Sequence, residues 1–210
     1  MTRSQPTPVM HFTHIDHLPS ILADGLVADS RVGDRLRHEV GGRGVKDQRR
    51  RAAVPLPPGG VVSDYVPFYF APRSPMMFAI KGGRVPEYGT DTEPLIYLVS
   101  TVERLDELGC RMLFTRRNAA LRNAEFTDSI GQLDRHVDWA LMQERYWKNT
   151  DQDGDRRSRR MAECLVPGVV PPAAILHLVT FNARYQANAR SILSQADAMI
   201  AVRVEPDWYF

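Results

Sequence analysis

The sequence predicts an α+β domain, and three observations carry that reading. Strand-like and helix-like segments are mixed without regular βαβ alternation. The 210 residues suffice for one sizeable core. A composition of 43% hydrophobic and 25% charged residues is that of an ordinary globular chain. With no internal repeat and no evident boundary, residues 1–210 read as a single domain.

Val9 to Thr13 reads as a short strand. A helix begins at Asp16 or His17, runs through Ile21 and Leu22, and ends at Gly25. From Asp29 to Gly60 periodicity fades while Gly, Arg and Pro accumulate, which predicts a long loop closed by the turn VPLPPGG. YVPFYFAP is aromatic and strand-like, with Pro67 pointing to an edge or a bulge. SPMMFAI reads as a short helix, and PLIYLVS as a buried strand. TVERLDEL is a helix ending near Gly109, and RMLFT a further strand.

From Asn118 to about Trp147 the pattern predicts mostly helix, with Ile130, Leu133, Val137, Leu141 and Tyr146 on one stripe. KNTDQDGDRRSRR is loop-like. AECLVPGVV and AILHLVTF read as adjacent strands broken by PGVVPP. A helix from about Ala183 to Gln195 and a last strand, AMIAVRVEP, complete the chain.

Bulk properties exclude several classes. No apolar run approaches the roughly 20 residues of a membrane span. MTRSQPTPVM has no apolar core of a secretory signal. Cys110 and Cys164 stand far apart, which argues against a disulfide framework and for a reducing cytoplasm. The net charge of +2 is only mildly basic, but cations cluster between Arg31 and Arg51 and again in DRRSRR, up to Arg160. Such runs suit either a solvated face or a phosphate-binding rim.

Half of the six histidines, His11, His14 and His17, fall in MHFTHIDHL. In a strand that breaks into a helix they point in different directions, so a shared metal is not expected. One of them suits a hydrogen-bonding role at a strand end; the others are expected on the surface. Rossmann, P-loop and nucleophile-elbow motifs are absent from the sequence. Glu163 opens the apolar strand ECLV directly after an Arg-rich loop, where a carboxylate can be held rigidly. An outward ring of DYVPFYF, such as Tyr69, could stack on a flat ligand.

MHFTHIDHLPSILADGL, then VKDQRRRAAVPLPPGGVVSDYVPFYFAPRSPMMFAI, then RRMAECLV and a terminal DWYF resemble the DarT-type DNA ADP-ribosyltransferases, in order from about Val9 to Phe210. The resemblance implies the ADP-ribosyltransferase fold: a split antiparallel β core with flanking helices, closest to the poly(ADP-ribose) polymerase branch. It implies transfer of ADP-ribose from NAD⁺ to a thymine in single-stranded DNA at a short motif. It further implies a toxin role, opposed by a macrodomain glycohydrolase antitoxin.

Position by position, the resemblance gives His11, Thr13 and Tyr69 to NAD⁺, with Tyr69 packing on nicotinamide. It makes Glu163 the catalytic glutamate and Arg49 the catalytic, NAD⁺-contacting arginine, with Arg50 and Arg51 as register-shifted alternatives. Residues 29–51 would be a mobile cover over NAD⁺, and 136–160 the substrate-recognition region. There Tyr146 or Trp147 would stack on a base while Arg156, Arg157, Arg159 or Arg160 meets phosphates. A monomer, no metal and no membrane are expected. The open alternatives are ADP-ribosyl or 2′-phosphate transfer to RNA or protein, and a non-catalytic nucleic-acid-binding domain.

Overall fold

A computed structural model describes residues 2–33 and 36–210. In chain order its elements are β1 (Pro8–His14), α1 (Leu18–Asp24), β2 (Leu26–Val27), α2 (Asp29–Val32), α3 (Arg43–Arg51), β3 (Tyr65–Tyr69), α4 (Pro75–Lys81), β4 (Leu95–Thr101) and α5 (Val102–Glu107). There follow β5 (Leu113–Thr115), β6 (Phe126–Thr127), α6 (Leu133–His136), α7 (Trp139–Gln143), α8 (Arg156–Arg159), β7 (Glu163–Pro167), β8 (Val169–Val170), β9 (His177–Thr180), α9 (Ala183–Gln195) and β10 (Ala201–Val204).

Eight strands form one sheet in the order β10-β9-β4-β1-β3-β7-β5-β6, and β2 pairs with β8 in a small second sheet. Every pairing in the large sheet is antiparallel except β9 with β10. β4 shows why the centre is buried on both faces. Ile96 and Leu98 enter one apolar cluster, while Leu95, Tyr97 and Val99 enter the other. That is the two-residue alternation of a strand with a core on each side. α9 covers the first cluster with Ala189 and Leu193, and α4 covers the second with Met77 and Ile80.

The feature that positions the site is a split in the sheet. β1 and β3 are paired only at Met10↔Tyr69, whereas β1–β4 and β3–β7 are paired along their lengths. Pro67 sits on the open side, where its missing N–H costs no ladder bond. The expected edge character of Pro67 is thus met inside the sheet, at the seam.

Several sequence expectations need correction. The long loop from Asp29 contains two helices, and among the described residues the coil before Arg49 is confined to 36–42. α3 has one apolar side chain, Val45, and buries none, so the sequence shows no apolar stripe there. The helix expected over Asn118–Trp147 is instead a run of turns with β6, α6 and α7. There Trp139 donates its Nε1–H to Leu133 O at 2.9 Å, tying the short helices together. The strands of AECLVPGVV and AILHLVTF do not pair: β7 lies between β3 and β5, and β9 between β4 and β10. Among the described residues no helix is long and apolar enough to cross a membrane.

Candidate active site

Glu163, the first residue of β7, pairs in register with Tyr69 of β3 and Thr115 of β5. Its side chain is 1% exposed. One oxygen, Oε1, accepts from Arg49 Nη1 at 2.8 Å; the other, Oε2, accepts from the backbone N–H of Ala119 at 2.9 Å. Its own N–H donates to Thr115 Oγ1 at 3.2 Å. A carboxylate held from both sides in this way has one orientation, which a preorganised site requires.

α3 decides the register of the three arginines. Arg49 faces Glu163, while Arg50 turns outward to Asp47 and Asp29, and Arg51 is exposed. Successive helical residues are rotated by about 100°, so only one of three consecutive arginines can meet the carboxylate. The Nη2 of Arg49 is buried and has no hydrogen-bond partner, which leaves a donor for a ligand oxygen.

His11 Nδ1 bridges the split to Pro67 O at 2.8 Å. A carbonyl can only accept, so Nδ1 carries the proton and Nε2 is an acceptor. Burial, opposed by the Pro67 bond and reinforced by the charge of Arg49, lowers the His11 pKa to about 4. The ring is therefore neutral at pH 7. Tyr69 lies beside it, stacked on Phe12 with ring centroids 6.3 Å apart. Burial and the negative charge of Glu163 raise its phenol pKa, so it stays a neutral donor.

Thr13 and His17 form a support that the sequence reading missed. His17 Nε2 accepts from the backbone N–H groups of Arg37 and His38, at 3.2 and 3.1 Å. Its Nδ1–H therefore donates to Thr13 Oγ1 at 2.8 Å. His14 and His17 were expected on the surface, yet both are largely buried. The signal lies in tertiary contact with segment 36–42, which no local pattern shows.

His11, Thr13, Tyr69, Arg49 and Glu163 line one cleft of about 240 Å³, together with residues of α1, α3 and segment 36–42. Gly25 at the end of α1 closes one wall. It has φ +87°, and a Cβ there would lie 2.6 Å from Val170 O, so the close approach of β8 requires glycine.

Residues 10–210 match the family described as "ssDNA thymidine ADP-ribosyltransferase, DarT". The chain belongs to the DarT family. A DNA ADP-ribosyl transferase of Thermus sp. (strain 2.9) is 36% identical over all of this chain and 99% of its own length. Its counterpart in Mycobacterium tuberculosis is 34% identical over 96% of this chain and 88% of its own. The solved structure of Thermus sp. 2.9 DarT in complex with ADP-ribosylated ssDNA superposes with a TM-score of 0.92, at 35% identity, covering 100% of this chain and 99% of that one. The same protein in complex with NAD⁺ gives 0.89, at 35% identity and full coverage of both chains. The fold expectation is met: a split, mainly antiparallel sheet with flanking helices, shared with DarT.

On the DNA side expected for a DarT chain, two side chains are committed elsewhere. Trp147 is 5% exposed, donates Nε1–H to Arg73 O at 2.8 Å, and meets Phe78 and Phe210 edge-on. It packs the core and cannot stack on a base. Arg160 is 3% exposed, and its guanidinium donates to the carbonyls of Leu141, Met142, Glu144 and Pro72. Burial lowers its pKa to about 10, still charged at pH 7. It staples the loop and cannot reach a phosphate.

Arg156 holds the carbonyls of Lys148 and Tyr146, and Arg159 pairs with Asp153 and Asp138. Tyr146, 74% exposed, and the exposed Arg157 are left facing solvent.

Proposed function

We propose that this chain transfers ADP-ribose from NAD⁺ to a ring nitrogen of thymine in single-stranded DNA, at a short sequence motif, releasing nicotinamide. The observation that carries it is the buried Arg49–Glu163 pair at the split of the sheet, flanked by His11 and Tyr69 in one cleft. Relatives named DNA ADP-ribosyl transferases, and the solved Thermus DarT complexes with NAD⁺ and with ADP-ribosylated ssDNA, support the reading.

In this reading His11 Nε2 accepts from a ribose hydroxyl and Thr13 lies beside it, which fixes the dinucleotide. Tyr69 packs on nicotinamide. As the nicotinamide–ribose bond breaks, its electron pair leaves with nicotinamide, which departs neutral. Positive charge then builds on C1′, as in glycoside cleavage. Glu163 accepts from a ribose hydroxyl and stabilises that cation.

A thymine imide nitrogen is a poor nucleophile until it loses its proton. A guanidinium stays protonated and cannot accept one, so Glu163 takes the proton. Arg49, with its unpartnered Nη2, favours the developing ring anion. The nitrogen then bonds to C1′. Duplex pairing would hide that nitrogen, which is why the substrate is single-stranded. Segment 36–42 covers NAD⁺, while Tyr146 stacks on a base and Arg157 meets a phosphate.

The protein works as a monomeric toxin in the cytoplasm, opposed by a macrodomain glycohydrolase. A Thermosipho africanus protein described as a DNA ADP-ribosyl transferase–DNA ADP-ribosyl glycohydrolase fusion supports that pairing; it is 25% identical, and this chain covers 48% of it.

The test is incubation of NAD⁺ and a random, thymidine-containing single-stranded oligonucleotide pool with the protein, read by mass spectrometry and sequencing. One ADP-ribose per modified thymidine is expected in a restricted sequence context. Turnover of NAD⁺ with modification of RNA or protein only, or no adduct, would overturn the reading.

A further inference from the structure

His14, the last residue of β1, does not join His11 and His17, yet it is not isolated. Its Nδ1 lies 3.5 Å from Asp16 Oδ2, and the same oxygen lies 2.8 Å from His38 Nε2. The three donor atoms fall within 4.8 Å of one another. The two imidazoles stack at 3.6 Å between ring centroids, closer than the roughly 5 Å of two rings on one tetrahedral zinc, so zinc binding would splay them.

We propose that His14, Asp16 and His38 bind a divalent cation of the zinc class, which clamps segment 36–42 across the mouth of the cleft.

The donor chemistry selects the metal class. Two imidazole nitrogens and one carboxylate oxygen suit zinc and its neighbours, whereas calcium and magnesium prefer all-oxygen sets. Zinc–ligand bonds of about 2.0–2.1 Å in a tetrahedron place adjacent ligands roughly 3.3 Å apart. Two of the three spacings here lie within about 0.5 Å of that. Three protein ligands leave the fourth position to solvent, an open site.

Placement gives the site its consequence. His14 and Asp16 belong to the frame, at the end of β1 and in the turn Ile15–His17 that follows. His38 belongs to the segment whose backbone N–H groups already latch onto His17. Leu36, His38, Glu39 and Val40 line the cleft, so a metal bond to His38 would hold that wall closed. His14 Nδ1 accepts from the backbone N–H of Asp16 at 3.2 Å, so its lone pair faces the site as an acceptor, and a metal bond would replace that hydrogen bond. Asp91 adds negative field at His14, while Arg37 opposes a cation beside Asp16.

Calorimetric titration of chelator-stripped protein with zinc chloride tests the site. One saturable equivalent is expected, weakened about tenfold or more in Asp16→Asn and in His38→Ala, and unchanged in His177→Ala. Both substituted groups are partly exposed, and circular dichroism of each variant checks the fold. Zinc should also slow trypsin cleavage after Arg37 several-fold in the wild type and leave His38→Ala unaffected at the same zinc concentration. No saturable binding, binding indifferent to Asp16→Asn and His38→Ala, or cleavage independent of zinc would each reduce the cluster to an Asp16–His38 hydrogen bond beside a stacked ring.

Discussion

Arg49 Nη1 donates to Glu163 Oε1 across 2.8 Å, joining residues 114 positions apart. The pair is largely shut off from solvent, with side chains 12% and 1% exposed. It ties α3, which contributes no buried apolar residue, to the first residue of β7. Breaking such a pair from one side leaves a buried charge uncompensated, at a cost of about 3–5 kcal/mol. Site chemistry and the docking of α3 are therefore coupled.

Replacing the carboxylate by an amide removes the charge and keeps an acceptor oxygen. Glu163→Gln should lower DNA modification by roughly 10²-fold or more with NAD⁺ affinity near wild type, measured by adduct formation and fluorescence titration. Glu163→Gln and Glu163→Ala should both lower the urea midpoint, because each leaves the buried Arg49 charge uncompensated, and Glu163→Ala should lower it further. Wild-type turnover in Glu163→Gln would refute the assignment.

The arginine triplet yields a contrast within one helix. Arg49→Ala should suppress turnover strongly. Arg50→Ala and Arg51→Ala should retain it within about threefold and shift stability by roughly 0.5 kcal/mol or less, as exposed substitutions do. Equal losses at all three positions would mean that α3 presents a general cationic surface.

The second basic cluster should divide in the same way. Arg160→Ala removes the guanidinium from four carbonyls, of which Leu141 O alone keeps a second backbone donor, Glu144 N–H, and should cost about 2–4 kcal/mol in urea unfolding. Arg157→Ala should leave stability unchanged but weaken binding of a single-stranded oligonucleotide. Its salt dependence should become shallower by about 0.7 in log–log slope. Unchanged oligonucleotide affinity would remove Arg157 from the DNA contact.

Stability should fall on mild acidification. Burial depresses His11 and His17 from 6.5 to about 4, so the unfolded chain binds more protons between those values. Their stabilising contribution is complete above pH 6.5 and is lost as pH falls towards 4. The urea midpoint should be lower at pH 5 than at pH 7, and His17→Gln should flatten that difference. A midpoint that rises on acidification would contradict the neutral, buried rings.

Strong local signals explain what was legible. PLIYLVS is a strand because five consecutive residues, Leu95 to Val99, are apolar enough to satisfy cores on both faces, and they lie in β4. The helix expected over Ala183 to Gln195 is α9, entered through an Asn182 cap that accepts from Tyr185 N–H at 3.1 Å. The 118–147 stripe misled because short helices joined by turns place apolar residues at similar spacings without forming one axis.

From its residues and their resemblance to a family, the sequence determined the fold class, the family and Glu163 at a strand mouth; His11, expected at a strand end, lies in the middle of β1, where it pairs with Leu98. Only tertiary structure decided which of three arginines meets Glu163, and that Trp147 and Arg160 serve the core while Tyr146 and Arg157 face solvent. It also decided that His14 meets His38 rather than His11. Identical residue types in neighbouring positions carry the same propensity, so they differ only in direction. Direction is set by the docking of helices and loops through polar contacts between residues distant in sequence, and no local period encodes it.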